Sequence, residues 1–349
     1  MQIDISQANT PAMYAHHRFH EEFNRSLKTN AVALAWLEST IKKGTSIDTI
    51  KSDVYQLDGI WGGMPDWTDF KATLTTSRYD LGAGGLMRVF SALDVFIERI
   101  EGSLNAWESQ QRRINEFRKK SGFKLLKVPK ILSAEAIKEI ETRNNELAVQ
   151  MSDEGTDPKS TAESESTKIA LRVIRFYTRQ NWQLKTVEYL LPIFNYFQLM
   201  RHCAAHSNAR ATPALSAASQ RSRWEKQIEV WKEKTGEITP PTPTEYVLGD
   251  PLKITHKDAV LASSLVRRFA LDMNSQARNV LGEHGMLFLA MKDLMNGPAD
   301  RYLPSKDHYS RLHEILRAEY RFSALDTSTT RHLLEEIMLW DEWKKILAH

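Results

Sequence analysis

The stretch Arg201-His202-Cys203-Ala204-Ala205-His206 gathers an arginine, two histidines and the only cysteine of the chain into six consecutive positions. An arginine side chain keeps its charge and can hold the anionic oxygens of a phosphate. A histidine can give or take a proton near neutrality. Together the two types suit chemistry at a phosphate, with Arg201 stabilising charge and His206 moving a proton. On a helical wheel of LPIFNYFQLMRHCAAHSNAR (191–210), Ile193, Phe197, Met200 and Ala204 form an apolar stripe. Asn195, Gln198, His202 and His206 lie opposite, and Arg201 sits at the margin with a side chain long enough to reach them. The helix is predicted to end near Asn208, ahead of Pro213, where a helix C-terminus favours positive charge on His206.

Arg201-His202-Cys203-Ala204-Ala205-His206 resembles the R-polar-x-x-x-H motif of the HEPN superfamily, all-α ribonucleases of prokaryotic toxin–antitoxin and anti-phage systems. His202 fills the polar second position, Ala205 precedes the final histidine and Ser207 follows it. The resemblance implies an all-α multi-helix bundle of HEPN type with additional helical segments at both ends. It further implies metal-independent cleavage of unpaired RNA, tRNA among the candidates, to 2′,3′-cyclic phosphate ends, with no cofactor. By the same resemblance His206 is the general acid or base, Arg201 stabilises the pentavalent phosphate, and His202 orients or assists. The implied partners are RNA, a second copy of the chain in a homodimer, and an antitoxin or defence-system protein. A non-catalytic module of the same fold, binding an antitoxin or nuclease subunit, is the alternative.

Lys168, Arg172, Arg175 and Arg179 recur at intervals of four, three and four, a basic stripe able to follow successive phosphates, with Phe176, Tyr177 and Trp182 nearby for base stacking. Ser207, Asn208 and Arg210, just beyond the motif, are further candidate RNA contacts. The competing expectation for the stripe is a solvated face paired with the acidic loop before it.

Other clusters compete with the motif. Arg278-Asn279 followed by His284 is a rival copy, but its spacing is one residue longer and Gly282 is expected to end the helix there. His202 and His206, four apart, could ligate zinc from one helix face if a third ligand existed. AHHRFHEEF brings His16, His17, His20 and Glu21 within helical reach, as a metal or second site or as a solvated face. LGAGGLM (81–87) lacks the spacing of a nucleotide-binding loop and is expected to turn the chain into a helix at Leu86.

The elements that must position these residues read as helices. Leu86, Phe90, Leu93, Ile97, Ile100 and Leu104 mark one face of a long amphipathic helix. Further helices are predicted from Ser133, from Thr167 to Trp182, from His256 to Leu281, and after Thr327, the last burying Leu334, Ile337, Trp340 or Trp343, and Ile346. Period-two alternation appears only in TEYVLGDPLKI (244–254), the one candidate for two short strands pairing around Gly249-Asp250, with Pro251 against it. The expected organisation is an N-terminal helical segment (1–75), a HEPN-like domain (76–284) with inserted loops near 150–167 and 213–250, and a C-terminal helical segment (285–349). The balance of 47 basic and 44 acidic residues gives no global nucleic-acid signature, so any basic surface must be local. One cysteine, no basic-then-apolar leader and no membrane-length apolar run lead to the expectation of a cytoplasmic protein without a membrane partner.

Overall fold

The computed structural model describes residues 6–57, 69–126, 132–153, 167–236, 243–296, 313–314, 316–322 and 327–341. The fold is all-α, a multi-helix bundle without a sheet among the described residues. Its helices are α1 (Pro11–Lys42), α2 (Ile47–Leu57), α3 (Phe70–Lys120), α4 (Ala134–Asp153), α5 (Thr167–Arg179), α6 (Leu191–His206), α7 (Pro213–Ala218), α8 (Arg221–Thr235), α9 (His256–Met295) and α10 (Thr327–Glu336). A 3-10 turn over Glu188–Leu190 leads into α6. The expected boundaries at 75/76 and 284/285 fall inside α3 and α9, and one apolar cluster runs from Ala8 to Leu339. The region 213–250, expected as a loop, holds α7 and α8.

The frame is α3 against α9. At 51 residues, α3 is about 75 Å long. It begins at Asp69, whose side chain accepts from the Ala72 amide, and not at Leu86 as the glycines suggested. The glycines instead lie inside α3, where they let another backbone in. A methyl group on Gly82 would stand 2.3 Å from the Ile254 carbonyl oxygen, and one on Gly85 would stand 2.9 Å from Ala259 Cβ. Further along, Gly285 of α9 lies against the Trp107 ring, so the two helices run parallel. The predicted stripe from Leu86 to Leu104 is buried in this seam.

Thr255 and Asp258 form a capping box that starts α9, each side chain bonding the other's backbone amide. The helix does not end at Leu281. Gly282 adopts φ 60° and ψ −171°, and the chain re-enters a helix beyond this kink. Left-handed φ is costly for a residue with a Cβ, so glycine suits the break.

Helix α1 packs antiparallel to α9, with Thr10 bonded to Asn274 (2.9 Å) at one end and His20 to Ser263 (2.8 Å) further along. On α6, Phe194 wedges between Phe90 of α3 and Phe269 of α9, with ring centroids 5.2 and 5.1 Å away. The C-terminal α10 is tied to the frame by Glu336, which meets Arg118 at 3.0 Å and His284 at 2.8 Å. Leu334 and Ile337 are buried as predicted, Trp340 packs on the core, and Trp343 and Ile346 lie outside the described residues.

The 244–254 segment does not pair with itself. Val247 to Asp250 forms a turn with Gly249 at φ 85°. The end of the turn and the chain after it pair with the exit of α6, while the Tyr246 amide before it donates to Ser219 at the end of α7. The Ala211 amide donates to Asp250 (2.8 Å), Gly249 to Ala211 (2.9 Å) and Leu252 to Ala209 (2.8 Å).

The glycine pair Gly82 and Gly84 separates close approach from helix propensity. Gly82→Ala forces the α3–α9 contact apart and is expected to cost about 2 kcal/mol or more. Nothing lies within 4 Å of a methyl placed on Gly84, so Gly84→Ala is expected to stabilise by up to about 1 kcal/mol. Urea unfolding of the two variants beside the wild type checks both signs.

Candidate functional site

Helix α6 is the most deeply enclosed short helix of the bundle, buried from Ile193 through Met200 and again at His202 and Cys203. The polar face is buried as well, save at His206. Gln198 is fully buried and accepts from the Ala170 amide at 2.7 Å, which satisfies one donor in the first turn of α5. Asn195 and His202 are buried as well, and the Cys203 thiol lies 3.5 Å from the Thr212 hydroxyl. The motif cysteine is thus a core residue beside the helix exit.

Only the end of α6 reaches solvent. His206 is exposed, with its ring 5.1 Å from that of His202. The helix stops there because Asn208 and Ala209 take left-handed φ values of 50° and 53°. The Ser207 and Ala209 amides both return to the Cys203 carbonyl at 3.1 Å. Arg201 is half-buried; its Nε is shielded from solvent and has no hydrogen-bond partner among the described residues. Asp94 of α3 lies within its electrostatic reach. Burial raises the Asp94 carboxyl above its ordinary value, against the pull of Arg172 and Arg201. Five residues apart, Arg201 and His206 are about 140° apart around the helix and do not face each other within one chain.

The other expected RNA contacts divide. Arg172 bridges Asp94 (3.0 Å) and Glu98 (3.1 Å), and Arg179 meets Glu101 (3.1 Å). These arginines fasten α5 to an acidic stripe on α3, a pairing the sequence reading assigned instead to the acidic loop. Arg175 is exposed and carries no ion pair among the described residues; the side chain of Lys168 lies outside them. Phe176, Tyr177 and Trp182 are buried edge to face against one another, so none of them is free to stack on a base. The Tyr177 hydroxyl donates to Asp272 at 2.7 Å. Arg210 donates to the Gly249 carbonyl at 2.8 Å and clasps the turn beside the helix exit, with Ser207 half-buried and Asn208 exposed next to it.

The rival motif is split by the Gly282 kink. Arg278 donates to Ser275 (3.2 Å) and the Ala8 carbonyl (3.4 Å), Asn279 is exposed, and His284 pairs with Glu336. Each end holds a different neighbouring segment. For the zinc reading, no group of three metal-ligating side chains occurs among the described residues.

No protein-family model matches the chain, and neither does any curated protein or solved structure. The case for the motif therefore rests on its own residues and surroundings. Among the described residues, no helix is long and apolar enough to cross a membrane.

Sequence reasoning left the histidines of α1 between a solvated face and a site. They are not a solvated face. His16 is buried against Phe96, with ring centroids 5.4 Å apart, while His17 and His20 are half-buried along the seam with α9. Burial, then His20, His17 and Arg267, hold His16 down to about 4. His17 is likewise held to about 4 by burial, then Arg267 and Arg321, against the opposing Glu21. His20 is lowered too, chiefly by burial.

This cluster makes the fold sensitive to acid. An unfolded histidine titrates near 6.5, so between that value and about 4 the unfolded chain binds more protons than the folded one. Stability therefore falls as pH drops through that window and is unaffected by these groups above it. His16 alone accounts for at most about 3 kcal/mol. Urea unfolding between pH 7.5 and 5.0, above the range of ordinary carboxylates, is expected to show the loss. His16→Leu is expected to flatten it; an unchanged slope would assign the acid sensitivity to other groups.

Proposed function

We propose that this chain is a HEPN-type, metal-independent endoribonuclease of unpaired RNA that works as a toxin or defence effector. The observation that supports this most is the placement of two groups at the open end of α6: a half-buried Arg201 whose shielded Nε has no partner among the described residues, and an exposed His206 beyond it. A buried guanidinium N–H without an acceptor costs free energy, and a phosphate oxygen would satisfy it.

In the proposed reaction the 2′-oxygen attacks the adjacent phosphorus as its proton passes to a base. The bond from phosphorus to the 5′-oxygen breaks, that oxygen takes up a proton, and a 2′,3′-cyclic phosphate remains. His206 acts as the base or the acid, and Arg201 stabilises charge on the non-bridging oxygens. His202, buried against the His206 ring, orients it. Because Arg201 and His206 point to different sides of α6, a second copy facing the same cleft would bring one protomer's arginine to the other's histidine. Unpaired RNA is favoured because the 2′-oxygen must align opposite the leaving oxygen, which a regular duplex resists. RNA contacts fall to Arg201, Arg175, Asn208 and the exposed surface of Arg210.

One observation favours the second reading, a non-catalytic helical module binding an antitoxin or nuclease subunit. Asp94 within reach of Arg201 is the counter-charge that a purely structural arginine would have. Incubation of total RNA with wild type, His206→Ala and Arg201→Ala in EDTA, with end-group analysis, separates the two. The nuclease predicts cyclic phosphate ends from wild type and a loss of about 100-fold or more in each variant. Equal cutting by all three proteins, or none by any of them, overturns it.

A further inference from the structure

We propose that His17, His20, Arg267 and Arg321 form a second site, in the seam between α1 and α9, that binds a phosphate group. The proposal does not depend on the cleavage reading, since none of these residues belongs to the motif on α6.

Three chain segments converge here. His17 and His20 lie one turn apart on α1, Arg267 lies on α9 a turn beyond Ser263, and Arg321 lies in the segment before α10. Contacts bring the three together. His20 meets Ser263 one turn before Arg267. Tyr320, next to Arg321, takes the Asn9 amide at 2.8 Å and lies 5.9 Å, ring to ring, from Tyr14, one turn before His17. The charge of Arg267 acts on all three histidines and that of Arg321 on His17. Arg321 is held at a left-handed φ of 56°, a conformation that costs about 1–2 kcal/mol in a residue with a side chain. Glu21 is the carboxylate that acts on His17 and His20, and it is exposed. No ion pair holds Arg267 among the described residues, and its Nε is buried without a hydrogen-bond partner. The Nε2 atoms of His16 and His17 are buried and unpartnered too.

The site is therefore rich in nitrogen groups able to donate and poor in acceptors. A cation fits badly, because Arg267 stands beside the histidines that would have to ligate it. An oxyanion fits on both counts: its oxygens accept from the guanidinium and the His17 imidazole, and its charge offsets the repulsion of the group. His20, its ring nitrogens held by Ser263 and Asn24, contributes charge to that group once protonated. Arginine is suited to a phosphate by its fork of donors.

His20 can take up the proton that anion binding would draw in. Its Nδ1 meets the Ser263 hydroxyl at 2.8 Å, and its Nε2 receives the Asn24 amide at 3.1 Å, leaving Asn24 Oδ1 buried and unpartnered. Rotation of that amide would turn Oδ1 towards a protonated Nε2. Binding is thus coupled to protonation of His17 and His20. The groups that set the coupling are His16, Glu21 and Lys28 on α1, Arg267 on α9, and Arg321.

Calorimetric titration with sulfate, at constant ionic strength in chloride, tests the site. Sulfate keeps its charge across the range, so any pH dependence belongs to the protein. The expectation is one site per chain, with affinity about tenfold higher at pH 5.5 than at pH 7.5, as partial uptake of one proton gives. His17→Gln and Arg267→Gln should each weaken binding about tenfold or more, and exposed Lys232→Gln, on α8, should not. Arg321→Gln, at an exposed position, carries the test should Arg267→Gln fail to fold. Repetition with inorganic phosphate and with adenosine 5′-monophosphate identifies the source. Similar affinities indicate free phosphate, and tighter binding of the nucleotide indicates a phosphorylated small molecule. No heat beyond the chloride control, or undiminished binding by the variants, overturns the proposal.

Discussion

The closeness of α3 to the start of α9 sets the geometry of everything else. At Gly82 the Ile254 carbonyl occupies the space of a Cβ, and at Gly85 the Ala259 methyl nearly does. Helices held this close share a single groove on either side. One groove takes α1, which lays Phe23 and Leu27 beside Gly85. The other takes α6, whose Phe194 reaches Phe90 and Phe269 together. The tight seam thus determines where the motif helix sits. Burial of α6 along most of its length then leaves its C-terminal end as the place where Arg201 and His206 meet solvent.

Six arginines of the bundle fall into three sets, and these follow from what lies opposite. Arg172 and Arg179 face the carboxylates of α3, spaced to match them, and act as fasteners. Such half-exposed pairs contribute modestly, and their value is in fixing the register of α5. Arg210 and Arg278 donate to backbone carbonyls at chain crossings. Arg201 and Arg267 differ from both sets, because each buries an Nε that finds no acceptor. A folded chain seldom leaves such a donor unsatisfied without a reason in its chemistry.

The fold class was legible because periodicity of three and four dominates the chain, and the buried stripe on α3 follows it residue by residue. The start of α3 was not, since LGAGGLM reads locally as a break. Only the approach of a second backbone, 172 positions away at Ile254, explains glycines inside a helix. The burial of the polar face of α6 was not legible for a related reason. A helical wheel separates apolar from polar residues, but it cannot show that the Ala170 amide, at the start of another helix, needs Gln198 as an acceptor. The same blindness applied to the basic stripe of α5, whose partners on α3 come from a stretch chosen for its apolar face. The location of the motif at the end of an oily helix was readable; the direction in which Arg201 turns was not.

Arg201 and Arg267 each stand beside histidines, yet their surroundings ask for different things. Arg201 has Asp94 within reach, so its charge is partly answered inside the chain, and a ligand there gains from geometry more than from raw charge. Under the proposed cleavage that suits a group bound briefly and turned over, since a phosphate held too tightly in the ground state would slow its own reaction. Arg267 has no ion pair among the described residues and sits among rings that burial keeps neutral. A ligand there gains charge neutralisation and proton uptake together, which suits retention over turnover. Two pairings of the same residue types are thus separated by where the carboxylate acts: Asp94 acts on the arginine of the first, and exposed Glu21 on the histidines of the second.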